Sequence, residues 1–276
     1  MQNMFTGPMM IGYALAIAFE ILFPFVLGAI FWRRLGARWR TFFIGMLIFG
    51  VTQLLIRVPI VQMLSNMLAD TLRGSPTLAA FWGIALALTA GLFEETGRWL
   101  GYRYLLKGPK TWTMGVMYGT GHEAMESVWI GVSVMASLAT LMNFAAMSAE
   151  QIQSLSPDAV TQLQAGLQQL QVLGPATPLV GAYERALTMA VQISLSILVL
   201  QVFIRGSFIW YWAAVGYHAL IDAFAVFGPR YIGLIGVEAV LTVFAIFSLW
   251  IIFHFRPHPE TPAETPTEAA AATGGS

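Results

Sequence analysis

Long apolar runs dominate the sequence and limit the chain to a membrane-embedded helical fold. Seven runs are separated by polar loops, and each reaches the ~20 residues that a helix needs to cross a bilayer. Hydrophobic residues make up 57% of the 276-residue chain and charged residues only 10%, whereas soluble domains carry about 25% charge. Only helices and closed barrels satisfy their backbone hydrogen bonds in lipid. The sequence therefore predicts an all-α polytopic bundle, with spans at about 9–32, 41–63, 78–100, 111–147, 179–204, 207–227 and 231–254.

The positive charges predict the orientation of these spans, because loops rich in Arg and Lys stay on the cytoplasmic side. With seven alternating spans, one side collects Arg33, Arg34, Arg38, Arg40, Arg103, Lys107, Lys110, Arg205 and Arg256. The other side has only Arg73 and Arg230. The N-terminus is therefore predicted outside and the C-terminus in the cytoplasm, in a prokaryotic-type plasma (inner) membrane.

One transmembrane domain is expected over residues 1–256, with an external insertion at about 148–178. In the insertion, Ser156-Pro157 is typical of a helix start. Leucines then recur at helical spacing among glutamines, which favours an amphipathic helix on the outer surface or capping the bundle. The fourth run is over-long and is expected to tilt or to extend beyond the bilayer. Residues 257–276 are rich in Pro, Thr, Glu and Ala and are predicted to form a disordered tail.

Charge and cysteine content exclude several classes of function. The formal net charge is zero, which argues against a nucleic acid partner. The chain has no cysteine, so disulfides, thiol catalysis and Cys-ligated metals are excluded.

Ionisable residues inside the apolar runs are the functional signal. The third run contains Glu94, Glu95 and Arg98, although a charge at the bilayer centre costs roughly 2.5–3.5 kcal/mol on insertion scales. Glu94 and Arg98 are four residues apart and can pair on one helix face, whereas Glu95 points about 100° away. The three groups need one another, partners on other helices, or a water-filled cavity.

The fourth and sixth runs each supply a histidine from the interior of the span. His122 precedes Glu126 by four residues, and His218 precedes Asp222 by four. Glycines at 119 and 121 let another helix approach closely. We expect these residues to form one shared site with the acids of the third run. A buried glutamate with a histidine can activate water, and a second histidine oriented by an aspartate can donate to an oxyanion.

Three of the remaining polar residues in the runs, Glu20, Arg57 and Glu238, are most simply partners between helices. The pair Glu184-Arg185 lies near the outer end of the fifth run, and such a pair is more often structural than catalytic. Gln192 and Ser196 follow in the same run, and the second run also contains Gln53.

A metal site is the nearest alternative. His122, Glu126, His218 and Asp222, together with Glu95, offer zinc nitrogen and oxygen ligands. The run His122-Glu123-x-x-Glu126 is superficially similar to the zincin helix, but it has Glu where zincins have a second His.

The order of these motifs resembles that of the glutamic intramembrane protease superfamily, which includes CAAX-prenyl endopeptidases and the PrsW and YhfC branches. Glu94-Glu95-Thr96-Gly97-Arg98 is similar to its first motif in a form one residue shorter. Tyr118-Gly-Thr-Gly-His122 is similar to the second motif, and His218-Ala-Leu-Ile-Asp222 to the third. The resemblance covers roughly residues 10–255 and is strongest to the YhfC branch.

The resemblance implies an endopeptidase in the lipid bilayer that cleaves a membrane-embedded or membrane-apposed protein or peptide. It implies that Glu94 or Glu95 with His122 activates water, that His218 with Asp222 forms the oxyanion pocket, and that Arg98 braces the carboxylates. The supporting residues would be Glu126, Glu184, Arg185 and Gln192. No cofactor is required in this interpretation. Gln192 stands where the YhfC pattern leads us to expect histidine.

Three alternatives stay open at this point. The first is a zinc-dependent intramembrane protease with the same residues as ligands, since some YhfC members are described as metalloproteases. The second is a transporter or an ion or proton pathway, for which acids and histidines at mid-membrane are equally typical. The third is an inactive protease scaffold, which Gln192 motivates. The substrate and the oligomeric state are left undetermined.

Overall fold

The structure, a computed structural model, describes residues 5–172 and 177–257. In these residues the chain is an all-α bundle, as predicted. Its helices in order are α1 (Gly7–Leu35), α2 (Trp39–Met67), α3 (Ala69–Gly74), α4 (Pro76–Leu105), α5 (Trp112–Ala146), α6 (Ala149–Gln153), α7 (Pro157–Val172), α8 (Thr177–Arg205), α9 (Ile209–Phe227) and α10 (Pro229–His254). The predicted tail lies, apart from Pro257, outside the described residues.

Seven long helices occupy the positions of the seven predicted spans. Among the described residues, six of them are long and apolar enough to cross a membrane. The remaining one, α9, has 19 residues and carries His218 and Asp222. It packs against α4, α8 and α10, so its place in the bundle is that of a span. The over-long fourth span is confirmed as α5, which has 35 residues and begins after the N-cap Thr111.

Helix α8 forms the centre of the bundle. It packs against α1, α4, α5, α9 and α10, and residues 191–202 are all buried. A helix that is buried all round belongs to the core. The polar side chains within this stretch, including Gln192 and Ser194, therefore face other helices rather than lipid.

Two glycines of α5 allow neighbouring helices to approach at backbone distance, as the sequence predicted. A Cβ on Gly121 would overlap the backbone of Phe42 in α2. A Cβ on Gly119 would lie 2.6 Å from the Cα of Ile193 in α8. Small residues at such contacts let membrane helices pack closely. Helix α5 is thus held between α2 and α8, which fixes the position of His122.

The middle of α2, Gly50–Arg57, is π-helical. Pro59 follows it and has no backbone N–H with which to continue the α-helical pattern. The N–H of Val58 bonds to the carbonyl of Gln53, five residues earlier. This wider turn brings Gln53 and Arg57 to the side of α2 that faces α4.

The two ends of the bundle differ in character. At one end, called the basic end here, lie the loops 36–38, 106–111 and 206–208. Arg205 lies over the rings of Trp210 and Phe255, each 5.2 Å away, and Arg256 lies over Trp112. Such pairs of arginine and aromatic residues are typical of a membrane interface. This is the end for which the charge distribution predicts a cytoplasmic location.

The opposite end, called the α7 end, carries α3, α6 and α7. The amphipathic helix is present where it was predicted: α7 begins at Pro157, and Ser156 Oγ accepts a hydrogen bond from the N–H of Ala159 (3.3 Å). Leu167 is buried, and Gly166 lies against Leu141 of α5. The apolar side of α7 therefore covers part of α5.

Candidate active site

Ionisable side chains from α4, α5 and α9 meet inside the bundle. Glu94, Glu95, His122 and His218 are each at most 5% exposed. Each lies within hydrogen-bond reach of another member of the group. The structure therefore brings together acids and imidazoles from the three helices that the sequence pattern singled out.

Glu94 is the most connected carboxylate of the group. Its Oε1 accepts from Gln53 Nε2 at 2.5 Å, and its Oε2 accepts from His122 Nε2 at 2.9 Å. Gln192 Nε2 lies 3.5 Å from the same Oε2, and His218 Nε2 lies 3.8 Å from it. Four helices besides its own therefore contribute a polar atom around Glu94.

Glu95 plays a different part, although it is the next residue. Its Oε1 accepts from the Arg98 guanidinium and from His218 Nδ1, the latter at 2.8 Å. The side chain is fully buried. Glu95 therefore fixes the orientation of the His218 ring, with Nε2 turned away from Glu95.

Arg98 lies beside both acids, on the side away from the cavity, and compensates their negative charge. The sequence predicted a pair with Glu94, and Arg98 Nη2 does lie 3.6 Å from that carboxylate. The closer contact is with Glu95, three residues earlier, and Arg98 also donates to Gln192 Oε1. The guanidinium is completely buried, so it acts as a brace and does not contact the cavity described next.

A cavity of about 300 Å³ adjoins this group. Glu94, His218 and Asp222 form part of its wall, whereas Glu95 and His122 do not. Asp222 Oδ2 lies 3.7 Å from His218 Nε2, and the Asp222 side chain is 34% exposed. Of the two adjacent glutamates that the sequence left as alternatives, Glu94 is thus the one beside free space.

The residues predicted to support the site form a second cluster. Arg185 pairs with Glu126 at 3.1 Å and with Glu184 at 2.9 Å. It also lies 3.6 Å from Glu123, a fully buried acid that the sequence placed in the zincin-like run but did not mark as a site residue. Gln192 Nε2 bonds Glu126 Oε2 at 2.8 Å. Gln192, which the resemblance marked as a departure, therefore connects this cluster to Glu94 and Arg98.

Gln53 and Arg57 of α2 extend the hydrogen-bond network around Glu94, although the sequence predicted only a partner between helices for Arg57 and no role for Gln53. Arg57 Nη1 donates to Gln53 Oε1 at 3.2 Å, which orients the amide so that Gln53 Nε2 points at Glu94. Arg57 Nη2 donates to the carbonyl of Leu86 at 2.5 Å. The signal in the sequence was a polar pair four residues apart, followed by Pro59. Such π-helical turns are often found at functional sites.

The candidate zinc ligands do not form a ligand set in this arrangement. His122 uses Nε2 for its bond to Glu94, and its Nδ1 has no hydrogen-bond partner among the residues that the structure describes. Zinc-bound histidines, in contrast, donate their second nitrogen to a partner. Glu126 is occupied by Arg185 and Gln192. Within residues 5–172 and 177–257, no three His, Asp or Glu side chains converge on a metal position. No metal-dependent step follows from this geometry.

Comparisons with known proteins agree with the motif order. The profile of a family described as YhfC intramembrane metalloprotease matches residues 19–244. The protein described as "Uncharacterized membrane protein YhfC" from Bacillus subtilis (strain 168) is 33% identical over 251 residues, which cover 86% of this chain and 94% of that protein. No solved structure matches the chain. The profile spans most of the chain, and the alignment with the relative covers 86% of it. The chain therefore belongs to the YhfC intramembrane metalloprotease family, a family of integral membrane proteins.

Proposed function

We propose that this protein is an intramembrane endopeptidase of the glutamic type, with Glu94 as the general base. One observation carries the proposal: the Glu94 carboxylate lines the cavity while Gln53 and His122 hold it. A carboxylate has about four acceptor positions. Two are used by these close contacts, so acceptor positions remain for a water molecule in the cavity.

In the proposed reaction, Glu94 removes a proton from water as the water oxygen attacks the carbonyl carbon of a peptide bond. The tetrahedral intermediate then expels the amine, and Glu94 returns the proton to the leaving nitrogen. His122 keeps the Glu94 carboxylate in position from its 2.9 Å contact. Precise placement of this kind is what makes general base catalysis effective.

His218 is the proposed oxyanion donor. Its Nδ1 is bonded to Glu95, so Nε2 is directed to the side where Glu94 Oε2 lies, 3.8 Å away. Asp222, 3.7 Å from the same Nε2, supports a proton on that nitrogen. A donor fixed before the reaction stabilises the oxyanion because it needs no reorganisation. Glu95 and Arg98 act as positioning residues in this scheme.

The experiment is cleavage of a panel of fluorogenic transmembrane peptides by purified protein in liposomes. Glu94→Gln and His122→Ala should each lower kcat by about 10²- to 10⁴-fold, the range for loss of general base catalysis. His218→Ala should cost about 10²- to 10³-fold, as for one oxyanion donor. Arg73→Gln is the matched control, because Arg73 and its partner Asp70 are exposed. Unchanged cleavage in both Glu94→Gln and His122→Ala would refute the mechanism.

A zinc-dependent peptidase is the second candidate, and the description of the family supports it. One local feature agrees with it: the bond from His218 Nδ1 to Glu95 matches the carboxylate contact that usually orients a metal-binding histidine. Elemental analysis of the purified protein separates the two candidates. Zinc at one equivalent that is lost together with activity on chelation would favour the metal mechanism. Full activity in metal-free protein would favour Glu94 alone.

A further inference from the structure

The cavity extends from the site toward one end of the bundle only. Its wall includes Ala90, which precedes Glu94 in α4, and Trp129, which follows His122 in α5. It also includes Glu184, which precedes Gln192 in α8, and Ala225, which follows His218 in α9. Successive long helices run in opposite directions, so a residue that precedes the site in α4 or α8 lies on the same side of it as one that follows the site in α5 or α9. All four wall residues therefore lie between the site and the α7 end.

A second cavity, of about 390 Å³, continues in that direction. It lies between α5, α7 and the start of α1, and it shares Trp129 and Ile130 with the first cavity. These two residues therefore border both spaces. Trp129 is 49% exposed, so about half of its surface lies outside the packed core.

The second cavity has the length and chemistry of a groove for an extended peptide. Its α5 wall runs from Trp129 to Leu141, which at ~1.5 Å per residue is about 18 Å. An extended chain of about five residues has this length. None of its described lining residues is charged, and Ser133, Ser137 and Gln169 supply hydrogen-bonding groups. The groove thus suits the main chain of an uncharged segment.

We propose that the substrate enters from the α7 end, lying as an extended, uncharged segment in the groove beneath α7 and passing Trp129 to reach Glu94. This inference rests on the proposed function, since it names the route of that reaction's substrate. Under the orientation predicted from the positive charges, the substrate is a membrane-anchored peptide approached from its extracytoplasmic side. Continuity of the groove with the site cavity is the reason for choosing a peptide substrate as the occupant.

The test uses single cysteines, since the chain has none of its own. Ser137→Cys reports whether the probe reaches the groove, and Ala90→Cys reports whether it reaches the cavity beside Glu94. Asp158→Cys in α7 and Lys107→Cys in the loop 106–111 report on the two ends, because both residues are exposed. The probe is a membrane-impermeant, positively charged methanethiosulfonate, applied to right-side-out and inverted vesicles.

The proposal expects Ala90→Cys and Ser137→Cys to react from the same side as Asp158→Cys. Reaction of Ala90→Cys from the side of Lys107→Cys, or from neither side while Asp158→Cys reacts, would overturn it. Combining Trp129→Ala with Ala90→Cys should raise the labelling rate of the cysteine severalfold, because the indole lies on the proposed route. Adding Ser137→Trp, which fills the groove, should lower that rate severalfold; no change in either would show that the groove is not the route.

Labelling needs no turnover, so it separates this inference from the proposed function. Inactive protein with the expected labelling would remove the peptidase and leave the entry route. Active protein labelled from the basic end would leave the peptidase and remove the route. For each variant, a monodisperse profile on size-exclusion chromatography verifies folding, and the second groove variant, Ser133→Trp, replaces Ser137→Trp if that one aggregates.

Discussion

Replacing Glu95 by leucine should destabilise the protein strongly, although Glu95 does not face the cavity. The substitution leaves Arg98 without its closest carboxylate and His218 Nδ1 without its acceptor. Arg98 is completely buried, and its next carboxylate oxygen is 3.6 Å away on Glu94. Removing one partner of a buried ion pair costs about 3–5 kcal/mol. We expect a loss of this size in the free energy of unfolding.

The double variant Glu95→Leu/Arg98→Met provides the matched comparison. Replacing both members of a buried pair by apolar residues is often neutral or stabilising. The double variant should therefore recover most of the lost stability. It should not recover activity, because the His218 ring is still without the acceptor that orients it.

The assay is unfolding by SDS in mixed micelles, followed by tryptophan fluorescence, together with peptide cleavage. Glu94→Gln serves as the reference in the cleavage assay, because this variant is expected to lose cleavage by loss of the general base. The reasoning is refuted if Glu95→Leu is as stable as the wild type. It is also refuted if the double variant is less stable than the single one, since the cost would then not come from an unpaired charge.

Three further predictions concern the residues around the site. Gln53→Leu removes the 2.5 Å hydrogen bond to Glu94, and hydrogen bonds to charged groups contribute about 1.5–3 kcal/mol. In steady-state cleavage, kcat should therefore fall by about 10- to 100-fold with little change in KM. Gly121→Ala places a Cβ against the Phe42 backbone and should lower the free energy of unfolding by at least about 1–3 kcal/mol in the SDS assay. Gly50→Ala is the matched control and should be tolerated, because its Cβ comes no nearer than 3.4 Å to the side chain of Met125. Gln192→Leu breaks the contacts with Glu126, Glu94 and Arg98 and should lower both the free energy of unfolding and kcat. Gln192→His keeps a polar group at this position and should retain more of both. Equal losses in the two variants would contradict this expectation.

The sequence determined the helices and the set of helices that share polar residues. Apolar runs of this length have no alternative to a helical bundle in lipid, and the predicted spans coincide with the long helices. Acids and histidines inside such runs are too costly to face lipid, so their meeting in the interior could be expected. The paired glycines before His122 also identified the close contacts of α5 in advance.

The roles within the site were beyond the sequence. Glu94 and Glu95 are identical in type and adjacent, and their directions differ by about 100°. Which one meets a cavity depends on what α2, α5 and α9 place beside each, and those positions are set by packing between distant parts of the chain. Gln192 illustrates the same limit: taken alone it is a missing histidine, whereas in the structure it contacts three site residues.

The direction of the cavity was decided only by the tertiary structure. Taken alone, the position of the acids toward the basic ends of their helices favours access from the cytoplasm or from lipid. In the fold the helices pack tightly around Gly119 and Gly121 on that side, and the free space lies beyond Glu94 toward the α7 end. Periodicity fixes which residues share a helix face, but empty volume arises from how whole helices cross, and no local pattern encodes that.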